Sequence, residues 1–247
     1  MLPKYQISLL KSLQQKKSRL ENALFLAEGY KSVVEFIDSS YQVEGIYHTA
    51  PFDPKMLNLS RNINLYAISA TEMQKISGLK TPQDVIAVIA IPQWPKPGNN
   101  NLKEKFSIVL DGVQDPGNMG TIIRTADWFG ITDIICSTDT VDAYNPKVVQ
   151  ASMGSLSRVR VHYTELATAL PKMNLPVFGA MLDGGVIYKT DFGNEGLLLM
   201  GNEGNGIRPG LQKLITVAVT IPRVGKAESL NVGIATALFC SELSRNK

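Results

Sequence analysis

Short apolar runs that alternate with helical patterns are the feature that most constrains how the C-terminal part of this chain can fold. The predicted strands lie at 106–110, 133–137, 177–181, 197–200 and 215–221. The predicted helices lie at 118–129, 146–153, 164–172 and 230–243. Alternating strands and helices predict an α/β fold with a mostly parallel sheet. In such sheets ligands bind beyond the carboxyl ends of the strands.

The first 90 residues predict a second, smaller α/β layer. Helices are predicted at 5–17 and 30–38, and strands at 25–28, 43–47 and 84–91. Ser69 and Glu72 have the spacing of a capping box, which predicts the start of another short helix. A proline- and asparagine-rich segment, 92–101, then interrupts both patterns, as linkers do. We therefore expect a domain over 1–92, a linker over 93–104 and a second domain over 105–247.

The composition excludes several classes of protein. A hydrophobic fraction of 44% with a charged fraction of 19% is typical of globular chains and not of disordered ones. No apolar run approaches the roughly 20 residues that span a bilayer, and no signal peptide is evident. Cys136 and Cys240 lie in apolar surroundings and are expected to be buried free thiols of a cytoplasmic protein. His48 and His162 lie far apart, so no metal site is expected.

The charge distribution indicates a polyanionic partner. Residues 1–22 carry five basic side chains against the single acid Glu21: Lys4, Lys11, Lys16, Lys17 and Arg19. The rest of the chain brings the net charge to only +3. A basic segment on a near-neutral body favours nucleic acid as a partner, and the alternative is a solvated helix face.

The first of three polar stretches follows the strand at 106–110. Asn118 is the predicted N-cap of the next helix, and Gly130 is its natural end. Arg124 lies among apolar residues of that helix and needs an anionic partner. Two partners remain open, a phosphate or carboxylate ligand and an internal ion pair with an acid such as Glu203.

The second and third polar stretches exclude two common nucleotide folds. The glycines at 201–206 have the order G-x-x-G-x-G, which is not the dinucleotide-binding order G-x-G-x-x-G. Gly225-Lys226 is followed by Ala227, where a P-loop needs serine or threonine. Ser229 is the predicted N-cap of the last helix, and Asn231 would face the site from its first turn. That helix is apolar nearly all round, which indicates burial in a core or against a second subunit.

Together these stretches resemble the three signature motifs of the SpoU/TrmH family of RNA ribose 2′-O-methyltransferases, in the SPOUT class. The first motif matches at Asn118, Gly120, Arg124, Ala126 and Gly130, the second at Gly201, Glu203, Gly204 and Gly206, and the third at Ile221, Pro222, Ser229, Leu230, Asn231 and Val232. In layout, the first 90 residues resemble the substrate-binding domain often attached to this family, which is similar to a small ribosomal RNA-binding protein. Arg223 departs from the family, which often has an apolar residue there.

The resemblance implies a fold, a reaction and a partner. The fold is a parallel sheet with a C-terminal deep trefoil knot, an exception to the rule that chains are un-knotted. The reaction is methyl transfer from S-adenosyl-L-methionine to a ribose 2′-hydroxyl of rRNA or tRNA, by a homodimer. Arg124 is implied as the catalytic residue, with Asn118, Glu203, Ser229 and Asn231 positioning it and the substrate. The implied cofactor-binding residues are Leu199, Gly201, Asn202, Gly206, Ile221, Pro222 and Leu230.

Three points stay open at this stage. Leu199 and Leu230 could line an adenine pocket or belong only to the core. A non-catalytic RNA-binding protein and a base methyltransferase are the alternative functions. The RNA and the nucleotide are not identified by any feature of the sequence.

Overall fold

The computed structural model describes residues 2–59 and 62–245. Met1, 60–61 and 246–247, which fall within the two predicted domains, lie outside the described residues. The chain divides into two compact units. The first unit comprises Met1–Gln93 with Asp142–Ser157, and the second comprises Trp94–Val141 with Arg158–Lys247.

Helices and strands alternate along the described chain. The helices are α1 (Lys4–Ser12), α2 (Lys16–Asn22), α3 (Tyr30–Ile37), α4 (Ala70–Ile76), α5 (Asn99–Leu102), α6 (Pro116–Trp128), α7 (Pro146–Ser152), α8 (Leu166–Met173), α9 (Pro209–Gln212) and α10 (Val232–Ser244). The strands are β1 (Leu24–Glu28), β2 (Val43–His48), β3 (Leu65–Ala67), β4 (Val85–Ala90), β5 (Phe106–Leu110), β6 (Asp133–Cys136), β7 (Arg160–Tyr163), β8 (Val177–Val186), β9 (Gly196–Met200) and β10 (Val217–Thr220). Short 3-10 turns lie at Pro54–Leu57, Ser155–Ser157 and Ile187–Lys189.

The first unit is built on a four-stranded sheet in the order β1-β4-β2-β3. The β1–β4 and β4–β2 pairs are antiparallel, and the β2–β3 pair is parallel. The capping box at α4 is confirmed, because Ser69 Oγ accepts from Glu72 N at 3.2 Å and Glu72 Oε2 accepts from Ser69 N at 2.9 Å. The predicted helix at 5–17 is wrong as a single element, because Gln15 has an extended backbone and separates α1 from α2.

Arg19 lies inside the first unit and not on its surface. Arg19 is 1% exposed. Its Nη2 donates to Asp142 Oδ2 at 2.6 Å, and its Nη1 donates to the carbonyls of Leu13 and Gln14. A buried charge of this kind needs such a partner and several acceptors. Arg19 therefore does not contribute a surface cation to the basic N-terminal segment.

The second unit is built on a six-stranded sheet in the order β10-β8-β9-β5-β6-β7. Every neighbouring pair in it is parallel, which confirms the predicted parallel sheet. All residues of β5, β6 and β9 are buried, as expected where both faces of a parallel sheet are covered. The carboxyl ends of β5 and β9 are adjacent, because Leu110 pairs with Met200. The chain segments that follow these two strands therefore leave the sheet side by side.

Two predicted helix starts are wrong, and both errors bear on the site. Helix α6 begins at Pro116, and its N-cap is Asp115, whose carboxylate accepts from Asn118 N at 2.8 Å. Helix α10 begins at Val232, and its N-cap is Asn231, not Ser229. The Asn231 side-chain oxygen accepts from Gly233 N and Ile234 N. Proline fits the first helical position, so the residue before Pro116 is the one that caps.

The two cysteines are buried free thiols, and burial raises the pKa of Cys240 to about 12. Among the described residues, no helix is long and apolar enough to cross a membrane. The described part of the chain also contains no group of three or more His, Cys, Asp or Glu side chains arranged to hold a metal ion.

Candidate active site at the carboxyl edge of the parallel sheet

A chain of three side chains joins the three polar stretches. Asn118 Nδ2 donates to Glu203 Oε1 at 2.6 Å, and Asn231 Nδ2 donates to Asn118 Oδ1 at 2.8 Å. The three residues come from α6, from the loop after β9 and from the start of α10. They are far apart in sequence, and the tertiary structure brings them into direct contact.

The direction of each hydrogen bond in this chain follows from the chemistry of its members. A carboxylate only accepts, so the Asn118 amide nitrogen faces Glu203 and its oxygen faces Asn231. The oxygen of Asn231 is already used as the cap of α10, so its nitrogen is the atom left to donate. The arrangement depends on the observed helix starts, because a capping Asn118 would have turned its oxygen to its own backbone.

The loop at 201–206 is tightly packed at Gly201 and has free space beside Gly206. Asn202 and Gly206 exchange two backbone hydrogen bonds, of 3.1 and 2.9 Å, and Asn202 Nδ2 donates to the Gly112 carbonyl at 2.7 Å. A Cβ on Gly201 would stand 2.2 Å from the Gly206 carbonyl carbon, so no side chain fits there. Gly206 has φ +65°, and no atom lies within 4 Å of where its Cβ would stand. A ligand can therefore approach the backbone from the side of Gly206.

Arg208, which follows this loop, forms hydrogen bonds with Asp111 at the end of β5. Its backbone N donates to Asp111 Oδ2 at 2.8 Å, and its Nε donates to Asp111 Oδ1 at 2.5 Å. Its Nη2 also forms ion pairs with Asp111 and with Asp139, the latter at 3.2 Å. The hydrogen bond to Asp111 raises the pKa of Arg208. Hydrogen bonds from Ser137, and to a smaller extent from Arg208, lower the pKa of Asp139.

Asp111 and Arg208 are residues of the site that the sequence did not predict. Asp111 is 1% exposed although it is charged, and it follows β5 directly. An aspartate at the carboxyl end of a predicted buried strand was the available signal. The missing information was its partner, which lies 97 residues later.

Arg124 is exposed on α6, six residues after Asn118, which is about 9 Å along a helix axis. The alternative of an ion pair with Glu203 is wrong in this structure, because Glu203 accepts from Asn118 instead. Within residues 2–59 and 62–245, the guanidinium makes no hydrogen bond or ion pair. It is available to an anionic group from outside the chain.

The remaining candidate residues differ in how accessible they are. Leu230 is 49% exposed, Ile221 is half-buried, and Pro222 and Ser229 are exposed. Leu199 is fully buried in the core together with Val109 and Ile135. The side chain of Leu199 therefore belongs to the core. Leu230 is exposed and is able to contact a ligand.

Two family models match this chain, and a curated relative is similar over most of its length. The model of the SpoU rRNA Methylase family matches residues 105–241, and that of the MRM3-like substrate binding domain matches residues 4–87. The 23S rRNA (guanosine(2553)-2′-O)-methyltransferase RlmP of Bacillus subtilis is 31% identical over 241 residues, which cover 94% of this chain and 93% of that protein.

Two solved structures are similar over the whole chain. A TrmH-family protein from Porphyromonas gingivalis is 39% identical, with a TM-score of 0.90 and all of both chains covered. The AdoMet-bound rRNA methyltransferase from Sinorhizobium meliloti is 27% identical, with a TM-score of 0.87, over 100% of this chain and 96% of that one. With more than half of its residues matched by the family model, the chain belongs to the SpoU rRNA Methylase family.

Proposed function

We propose that this protein transfers a methyl group from S-adenosylmethionine to a ribose 2′-hydroxyl of RNA. The observation that carries the proposal is the side-chain network of Asn118, Glu203 and Asn231. Asn118 lies on the same helix as Arg124, whose guanidinium has no partner among the described residues. Those residues are the ones that the family resemblance assigns to catalysis. Two of the relatives named above, those from Bacillus subtilis and Sinorhizobium meliloti, are rRNA methyltransferases, and the structure of the second contains the cofactor.

The chemistry requires stabilisation of negative charge. S-adenosylmethionine, when bound, supplies an electrophilic methyl group on a sulfonium. The ribose hydroxyl is a poor nucleophile, so the protein must favour the loss of its proton. Arg124 is proposed to stabilise the developing alkoxide, because a guanidinium stays protonated in proteins and is therefore a poor base. Asn118, Glu203, Ser229 and Asn231 are proposed to position the ribose.

The open side of the glycine loop suits the proposed cofactor. A ligand with an adenine ring needs apolar walls, and its polar parts need backbone groups that can be approached. The exposed Leu230 offers an apolar surface for the adenine ring. The backbone of the glycine loop, 201–206, offers polar groups that a ligand can approach. The proposed cofactor-binding residues are Gly201, Asn202, Gly206, Ile221, Pro222 and Leu230.

The finer architecture is also a proposal. We assign RNA selection to 1–92, a linker to 93–104 and methyl transfer to 105–247, which the two family matches support. The proposal includes a trefoil knot in the C-terminal segment, which is supported by the match to the SpoU rRNA Methylase family.

A homodimer and a cytoplasmic location complete the proposal. On α10, Ile234 is 55% exposed and Leu238 is 38% exposed, which leaves apolar surface that a second subunit would cover. The cytoplasm would keep Cys136 and Cys240 reduced.

The test is a comparison of 2′-O-methyl sites in RNA from cells with and without this protein. Ribosomal RNA of the large subunit is the first RNA to map, because the Bacillus subtilis relative acts on 23S rRNA. A site that disappears with the gene and returns with it supports the proposal. Unchanged methylation of both rRNA and tRNA would contradict it. Nucleoside analysis separates ribose from base methylation.

Substitution of Arg124 tests the catalytic assignment. We expect Arg124→Ala to abolish methyl transfer and to leave thermal stability unchanged, because the side chain is exposed and unpaired within the described chain. Lys172→Ala, which removes an exposed cation from α8, is the matched control and should keep full activity. Full activity of Arg124→Ala would refute the assignment. Calorimetry showing RNA binding without cofactor binding would favour the non-catalytic alternative.

A further inference from the structure

A cleft separates the polar faces of α1 and α4 in the first unit. The apolar faces of these helices pack into one core, where Leu10, Leu13, Met73 and Ile76 are buried. Polar residues of both helices line an open cleft with a volume of about 520 Å³. Ligand sites in proteins commonly have volumes of about 300–1,000 Å³. The cleft therefore has room for a group the size of a nucleotide.

The cleft is lined by hydrogen-bond donors and by no acidic side chain. Lys11 and Lys75 are its two cations, and Ser8, Gln15 and Gln74 are neutral polar groups of its lining. All five residues are exposed. Within residues 2–59 and 62–245, neither lysine forms an ion pair with a carboxylate. The cleft thus offers two uncompensated positive charges beside neutral donors.

The one acid of α4 is already engaged elsewhere. Glu72 is 7% exposed, and its carboxylate accepts from the backbone N of Ser69 and of Leu2. These bonds lower the pKa of Glu72 to about 2, with the Ser69 backbone N–H as the largest cause. These hydrogen bonds hold the Glu72 carboxylate at the cap of the helix, and Glu72 is not among the residues that line the cleft.

The structure changes which basic residues act together. Arg19 is buried and forms an ion pair with Asp142. On the exposed surface of α2, Lys17 Nζ lies 3.8 Å from Glu21 Oε1. Lys11 has no ion-pair partner in the part of the chain that the structure describes. Lys75, which lies 64 residues later in the chain, lines the same cleft. The positive surface is thus formed by two helices and not by the N-terminal segment alone.

We propose that this cleft binds the phosphodiester backbone of the RNA substrate. Lys11 and Lys75 contact phosphate oxygens, and Ser8, Gln15 and Gln74 donate to phosphate or ribose oxygens, which are the usual partners of such side chains. The proposal rests on the proposed function, since it takes RNA as the substrate. The matched substrate-binding model, over residues 4–87, contains both helices.

The experiment measures the binding of in vitro transcribed 23S rRNA to the full-length protein over a series of salt concentrations. Each lysine–phosphate contact contributes about 0.7–0.9 to the slope of log K against log salt. Lys11→Gln/Lys75→Gln should therefore flatten the slope by about 1.4–1.8 and weaken binding at low salt on the order of tenfold. Lys11→Arg/Lys75→Arg should restore both values. An unchanged slope in the glutamine variant would overturn the proposal.

Controls separate this cleft from general charge and from the proposed activity. Lys172→Gln/Lys213→Gln removes two exposed cations of the second unit and should change the slope less than the cleft variant does. With RNA at saturation, the cleft variant should keep its kcat and show a raised KM for RNA. A reduced kcat with an unchanged KM would count against the cleft. Wild-type protein that binds the RNA through the cleft and leaves its riboses unmethylated would refute the activity alone.

Discussion

The most direct prediction concerns the two carboxylates that share Arg208. Asp111 has a fully buried carboxylate, which accepts from the backbone N and the Nε of Arg208 and forms an ion pair with its Nη2. Asp139 contacts the same guanidinium, but its side chain is 53% exposed. Asp111→Asn keeps one acceptor oxygen and loses the other, together with the charge. We expect this substitution to destabilise the second unit and Asp139→Asn to have a much smaller effect.

The expected magnitudes follow from burial. Loss of one hydrogen bond to a charged group costs about 1.5–3 kcal/mol. Asp111→Asn should therefore lower the free energy of unfolding of the second unit by about 2–3 kcal/mol. An exposed ion pair contributes about 0–1 kcal/mol, so Asp139→Asn should stay within that range. Each variant replaces a carboxylate that contacts the guanidinium of Arg208 with an amide. Their difference therefore measures the burial of Asp111 together with its additional hydrogen bond from the Arg208 backbone N.

Hydrogen exchange is the suitable assay, because a chain with two compact units need not unfold in one step. The amides of residues 201–208 should lose protection in Asp111→Asn and keep it in Asp139→Asn. Calorimetry with S-adenosylmethionine should show weaker binding in the first variant, since this loop is part of the proposed cofactor site. Equal losses of protection in the two variants would refute the reasoning.

Two further predictions concern helix caps. The Ser69 backbone N–H is the largest cause that holds the pKa of Glu72 at about 2, below its ordinary 4.5, so this cap is fully stabilising above about pH 4.5 and is lost as the pH falls towards 2. Acid unfolding of the first unit should accordingly lose part of its pH dependence in Glu72→Gln. Asn231→Asp keeps an oxygen to cap α10 but cannot donate to Asn118, so helix stability should be kept while methyl transfer falls. Thermal melting and a methyl-transfer assay would separate the two effects, and unchanged activity would contradict a role for the network.

Most strands could be predicted from the sequence, because burial on both faces of a parallel sheet produces continuous apolar runs. The strand at 106–110 was predicted with its observed bounds. The three-residue β3 was not predicted, since it is mostly exposed and depends on pairing with β2. The starts of α6 and α10 were misplaced because several residues within one turn can act as caps. Local propensity alone does not select among them.

The candidate site was predictable as a set of residues but not as a set of contacts. Arg124 and Asn231 were identified in polar stretches that follow strands, and the family resemblance implied the catalytic roles of Arg124, Glu203 and Asn231. The contact of Arg124 with Glu203 was one of two open alternatives, and the structure pairs Glu203 with Asn118 instead. Arg19 appeared to be a surface cation, because its buried partner Asp142 lies 123 residues away.

By itself, the sequence determined the alternation of strands and helices, the polar character of the strand ends and the chemical groups that gather there. These properties are local, because apolar periodicity and helix-breaking residues act within one element. Only the tertiary structure decided which polar atoms meet. The hydrogen bonds that join Asn118 to Glu203 and to Asn231 span 85 and 113 residues. The order of the strands in the sheet sets such partners, and no local pattern encodes that order.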